Sequence, residues 1–167
     1  MQERANVFFG VCPRVGMGGT KDHVRFVRCL WADLDNCTPA EAHHRIEQAE
    51  FVTPTICVSS GTGVHLYWRL AEAFEIRTDA DRRRVEQATV AITEALQGDH
   101  VQDVARILRL PGFANVKDVR NGQPPTYCTL HMVNDVRYDL SEIEEYLPTE
   151  AIQVATDTLA GQFRGGT

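Results

Sequence analysis

The chain has 167 residues, of which 43% are hydrophobic and 24% charged, a composition that suits one globular domain with room for a core. A formal charge of −6 argues against coating nucleic acid through bulk electrostatics, although a local basic groove is compatible with an acidic remainder. No apolar run approaches the roughly 20 residues a bilayer span needs, so the composition predicts no membrane partner.

The opening residues Met1-Gln2-Glu3-Arg4 lack the apolar centre of a signal peptide. Cys12, Cys29, Cys37, Cys57 and Cys128 are scattered, odd in number and without a Cys-x-x-Cys pair, so neither a zinc site nor a disulfide framework is signalled. A reducing, cytoplasmic setting is the simplest expectation. Val7 to Val11 reads as a short strand, followed by the flexible loop Pro13 to Thr20. That loop carries glycines near Lys21 but not the G-x-x-x-x-G-K-[ST] spacing of a phosphate-binding loop. Val24 to Asp35 is a second strand, with Phe26, Arg28, Leu30 and Ala32 on one side and Val27, Cys29, Trp31, Asp33 and Asp35 on the other.

Thr38-Pro39-Ala40-Glu41 predicts a capped helix running to about Ala49. Thr55 to Ser59 and Val64 to Leu70 read as two strands joined by the hairpin Ser60-Gly61-Thr62-Gly63. Asp79 to Leu96 is a longer helix capped by Thr78, with Val85, Ala88, Ile92 and Ala95 as its apolar stripe. A short helix is expected over Val101 to Leu108, stopped by Pro111-Gly112, then a strand over Thr126 to Val133 and an acidic helix over Ser141 to Leu147. From Thr149 the pattern weakens, and Gly161 to Thr167 is expected to be disordered or a cut linker. The expected organisation is therefore a domain over 1–148 and a tail over 149–167, with an α+β sheet backed by helices on one face.

Three segments carry candidate chemistry. Asp33 and Asp35 are two residues apart on a strand and so share a face. Their mutual repulsion is relieved by a cation, and hard ions such as Mg²⁺ favour sites shared with phosphates. In the glycine hairpin, backbone N–H groups can approach an anion, Ser59 and Ser60 add hydroxyl donors, and His65 sits just inside the returning strand. The third segment, Asp103 to Lys117, places a carboxylate, Arg106, Arg109 and Lys117 around a Pro-Gly break, where the cations could converge on phosphates. Each has a plainer reading: a turn, a core histidine, or a surface helix with an Asp103–Arg106 pair contributing only tenths of a kcal/mol.

Taken in order, Asp-x-Asp, Ser-Gly-x-Gly-x-His and Asp-x-x-Arg-x-x-Arg-Leu-Pro-Gly-x-x-Asn-x-Lys resemble the archaeo-eukaryotic primase superfamily, in particular the primase-polymerase domains of plasmid replication proteins and their CRISPR-associated relatives. The early Phe8-Phe9-Gly10-Val11-Cys12-Pro13-Arg14 is similar to that branch's opening segment. The resemblance covers roughly residues 7–117 and continues more faintly to about 147. It implies a mixed or antiparallel sheet like that of RNA-recognition motifs, with packed helices, and template-directed transfer from deoxy- or ribonucleoside triphosphates to a primer or initiating nucleotide on single-stranded DNA. It also implies Mg²⁺ or Mn²⁺ held by Asp33, Asp35 and Asp103. The triphosphate would lie against Ser59, Ser60, His65, Arg109 and Lys117, with Arg14 and Arg106 as weaker candidates. Thr62 stands where some branches carry a lysine, and no helicase motif or zinc cluster follows. A helicase, a helical priming domain or a CRISPR-associated nuclease is accordingly expected elsewhere in a longer protein.

Other residues are read more plainly. His43 and His44 are adjacent on a helix and diverge by about 100°, so they cannot readily chelate one ion. Arg82-Arg83-Arg84 reads as a solvated helix face, Glu142, Glu144 and Glu145 as surface, and Trp31 and Trp68 as core. Tyr67 is the better base-stacking candidate because it shares a face with His65. Asn115 is expected to brace the Pro-Gly turn. Two alternatives remain open: a metal-dependent nuclease or phosphodiesterase using the same carboxylates, and a catalytically silent replication-associated binding module.

Overall fold

The computed structural model describes residues 5–99 and 103–164, with side chains in the last helix to residue 160. At its centre is a four-stranded antiparallel sheet in the order β2-β4-β3-β8. Its strands are β2 (Phe26–Asp35), β3 (Ile56–Ser59), β4 (Gly63–Glu75) and β8 (Thr129–Val133). Two short antiparallel ribbons flank it: β1 (Phe8–Gly10) with β5 (Ile107–Arg109), and β6 (Ala114–Asn115) with β7 (Thr126–Tyr127). The helices are α1 (Pro39–Gln48), α2 (Asp79–Ala95), α3 (Leu140–Glu145) and α4 (Thr149–Arg164). This is the expected α+β class.

The central pair is β2 and β4, two long strands whose side chains are mostly buried. Alternation sends Leu30, Ala32, Leu34, Val64, Leu66 and Trp68 to the face covered by helices, where all are buried. Trp68 packs edge-on against Phe51 at 5.4 Å and donates its indole N–H to Val52 O at 2.8 Å. Trp31 is fully buried as well, in keeping with the core reading of both tryptophans. A register shift between Val27 and Cys29 interrupts β2, which otherwise pairs with β4 from Cys29↔Arg69 to Asp35↔Gly63.

Local chemistry sets the helix starts. Thr38 and Glu41 form a reciprocal capping box with Pro39 in the first turn, and Thr78 and Asp81 form a second one. At the far end of α2, Gln97 takes a left-handed conformation (φ 53°), Gly98 N–H donates to Thr93 O at 2.8 Å, and Arg45 from α1 donates to the carbonyls of Leu96 and Gln97. A side chain at Gly98 would lie 2.9 Å from Asp33 O, so glycine allows this turn to press on the end of β2.

Three expected elements differ. The helix over Val101 to Leu108 does not form in its described part. Residues 103–106 turn, residues 107–109 are β5, and 101–102 lie outside the described residues. The non-local pairing Phe9↔Leu108 decides that segment, not its helical spacing of Asp and Arg. The expected strand over Thr126 to Val133 is broken at Cys128 into β7 and β8, which belong to different sheets. The tail is helical through Arg164, with Ala151, Ala155 and Leu159 buried and α4 packed against α2; residues 165–167 lie outside the described set. The bidentate pair of Arg84 with Glu144, at 2.8 and 2.7 Å, ties α2 to α3, so these two charges are structural contacts, not a free surface. Among the described residues no helix is long and apolar enough to cross a membrane.

Candidate active site

The sheet face opposite α1 and α2 carries the polar residues. Asp33 and His65 are cross-strand partners, as are Asp35 and Gly63, which puts both carboxylates and the imidazole on one side. Gly63 is required where the hairpin returns, because a Cβ there would lie 2.4 Å from Leu34 O. Gly61 sits at φ +99°, and a Cβ on it would strike Thr126.

Asp33 is 8% exposed. Arg106 donates from Nη2 to its Oδ2 at 3.2 Å, and His65 Nε2 lies 3.6 Å from its Oδ1. Burial raises the Asp33 carboxyl above its ordinary range, against the opposing pull of Arg106. His65 is pushed down to about 4 by burial, with Arg109 and Arg106 adding to the effect. The imidazole is therefore neutral at pH 7, and its 3.6 Å approach to Asp33 is a contact, not an ion pair. Its Nδ1 is buried without a hydrogen-bond partner, and so are the Nε atoms of Arg106 and Arg109. Arg109 also stacks over Phe8 at 5.4 Å. Two guanidinium groups and a neutral imidazole with unused polar atoms thus surround one buried carboxylate.

Not every expected residue joins them. Ser60 closes the hairpin by donating its N–H to Gly63 O at 2.8 Å and is buried. By strand alternation Ser59 follows Cys57 to the helix-backed face, away from His65. Lys117 is exposed, and its backbone N–H donates to Asn115 Oδ1 at 3.1 Å. Arg14 donates to Ala105 O, bracing the loop that leads to Arg106. Asp103 uses Oδ1 to accept from Ala105 N–H at 2.8 Å, so it shapes the turn and does not pair with Arg106, whose side chain goes to Asp33. Tyr67 does share the face of His65, meeting it edge-on at 6.5 Å, but it is buried beneath Phe9 and is not an open stacking platform.

Two residues acquire roles that the motifs do not reveal. Asp99 N–H donates to Asp33 O at 2.9 Å, and Asp99 Oδ2 accepts from Asp35 N–H at 3.0 Å, so it clamps the backbone between the two carboxylates. The glycine after Gln97, which marks the end of α2, is the signal that could have found it. Asn115 donates to Ser60 O at 2.9 Å, tethering the hairpin to β6 instead of bracing Pro111-Gly112.

Among the described residues no group of three or more His, Cys, Asp or Glu side chains is arranged to hold a metal ion; Asp33, Asp35 and Asp103 are not a ready-made cage. The pair Asp33 and Asp35 nevertheless fits a hard divalent cation. Mg²⁺ is commonly held by one or two carboxylates, with substrate phosphates and water completing the shell.

Residues 13–151 match the family model described as the RepB DNA-primase N-terminal domain. The fold is similar to that of the AEP domain of the cyanophage S-2L primase-polymerase, with a TM-score of 0.68 and 16% identity over 86% of this chain and 70% of that one. It is also similar to the primase RepB′, with a TM-score of 0.50 and 14% identity over 83% of this chain but 43% of that one. No curated protein matches the sequence. The family match spans most of the chain and both structures share its fold: the chain belongs to the RepB DNA-primase N-terminal domain family, with an archaeo-eukaryotic primase-type fold.

Proposed function

We propose that this domain is the catalytic core of a template-directed primase-polymerase, transferring nucleotides from triphosphates to a primer or initiating nucleotide on single-stranded DNA. The observation that supports this most is the convergence of Asp33, His65, Arg106 and Arg109 on one sheet face, with Asp35 beside them. Asp33 and Asp35 would hold Mg²⁺ or Mn²⁺. Such an ion supplies activation of the attacking hydroxyl and neutralisation of charge on the departing pyrophosphate.

The protein's own groups do the rest. The forks of Arg106 and Arg109 suit phosphate oxygens, and their unpartnered Nε atoms leave donors to spare. Neutral His65 donates one N–H to a phosphate oxygen without adding charge. An incoming triphosphate competes with Asp33 for Arg106, so phosphate binding frees the carboxylate. Fixed donors in a partly buried setting favour charge that grows during transfer. Asp103 and Lys117 remain candidates for the same chemistry. A partner module for de novo priming belongs to the same reading.

Primer extension on a single-stranded DNA template, with Mg²⁺ or Mn²⁺ and with dNTPs and NTPs supplied separately, tests it. Asp35→Ala should reduce extension on the order of 100-fold, since Asp35 is exposed and its loss leaves the core intact. Full extension by that variant, with contaminating polymerase excluded, sinks the assignment.

A further inference from the structure

Along the same sheet face, roughly 13 Å from Asp33 at the 3.3 Å rise of a strand, a cavity of about 310 Å³ opens beside Cys29. Phe9, Tyr67, Ile56 and Pro111 line it, and Arg28 and Arg69 stand among them. The volume lies at the small end of ligand pockets, which suits one ring system better than an extended chain. Its walls are aromatic and aliphatic, yet two cations border it. Neither guanidinium is ion-paired with a described residue, although the chain as a whole carries −6. Tyr67 is 5% exposed, and its hydroxyl is buried without a hydrogen-bond partner. A buried unpaired O–H is costly, and an acceptor on an entering ligand would satisfy it.

We propose that this cavity seats one base of single-stranded DNA, with Arg28 and Arg69 holding the phosphates on either side. Every base offers a π-face to Phe9 and acceptor groups to the Tyr67 hydroxyl, and its backbone supplies the anions that the two arginines lack. A neutral apolar ligand would leave both guanidinium groups unanswered. Tyr67, which lines the cavity, meets His65 edge-on at 6.5 Å on its other side, so one ring separates the cavity from the histidine of the Asp33 cluster. Naming the strand a template rests on the polymerase reading; its binding does not.

The test is fluorescence anisotropy with a labelled oligothymidylate across a salt series, without divalent ions or triphosphates. In parallel, dNTP binding is measured by calorimetry. The double variant R28A/R69A should weaken DNA binding by tenfold or more. It should also lower the slope of log K against log salt by about 1.4, from roughly 0.7 per phosphate contact in single strands. Tyr67→Phe should weaken DNA binding several-fold, and dNTP binding should be unchanged in R28A/R69A. No DNA binding by the wild type, or an unchanged affinity and slope in R28A/R69A, overturns the assignment. Loss of dNTP binding with DNA binding intact overturns it too and gives the cavity to the incoming nucleotide. Because no catalysis is read, failure here leaves the polymerase reading standing, and failure of extension leaves this one standing.

Discussion

On one face of the β2–β4 pair, Leu30, Leu34, Leu66 and Trp68 lie under helices, and the one polar atom of Trp68 has its partner. On the other face, Asp33, His65 and Tyr67 are buried too, yet His65 Nδ1, the Tyr67 hydroxyl and the Nε atoms of Arg106 and Arg109 have none. The same strands build both faces, so backbone pairing cannot explain the difference. On the helix-backed face these strand side chains leave no buried polar atom unpartnered, and their burial stabilises the fold. The open face keeps polar groups in burial where they cost stability, the usual sign of a surface arranged for a ligand.

That contrast can be broken from either side. The largest expected loss comes from the helix-backed face: Trp68→Ala should cost about 4 kcal/mol in denaturant unfolding, through lost burial and a cavity against Phe51. A cost near zero would show that this face is not the stabilising one. Next comes a pH dependence on the open face. The folded pKa of His65, about 4, lies below the ordinary value of 6.5, so protons bind the unfolded chain more readily. Its contribution is whole above pH 6.5 and is lost as pH falls toward 4, a change of about 3 kcal/mol. Comparing unfolding of the wild type and His65→Gln across that range should isolate it, and superimposable pH profiles would refute the neutral buried imidazole. A smaller effect belongs to the tether between hairpin and ribbon: Asn115→Ala leaves the buried Ser60 carbonyl without its donor and should cost about 2 kcal/mol.

Much of this was legible in the sequence where the signal is local. The capping boxes at Thr38 and Thr78, the glycine hairpin and the shared face of Asp33 and Asp35 all depend on residues a few positions apart. What local signals cannot carry is non-local pairing. Ile107 to Arg109 becomes a strand because Phe8 to Gly10 lies against it, and that pairing is what turns Arg106 and Arg109 toward Asp33. Asp99 and Asn115 act through backbone atoms of residues distant in sequence. The α4 stripe of Ala151, Ala155 and Leu159 has helical spacing, but alanine adds little apolar contrast, and contact with α2 completes the helix.

The open face keeps Asp33 for chemistry at the expense of stability. Burial raises the Asp33 carboxyl, so its favourable contribution is present below the ordinary carboxylate range and lost as pH rises through the elevated pKa; above that pKa the buried carboxylate costs stability. The most direct measurement is therefore Asp33→Asn at pH 7, read by primer extension and by thermal melting of the same preparation. Extension abolished while Tm is equal to or above that of the wild type is the expected result. Extension retained, or lost only because Tm has fallen, would contradict it.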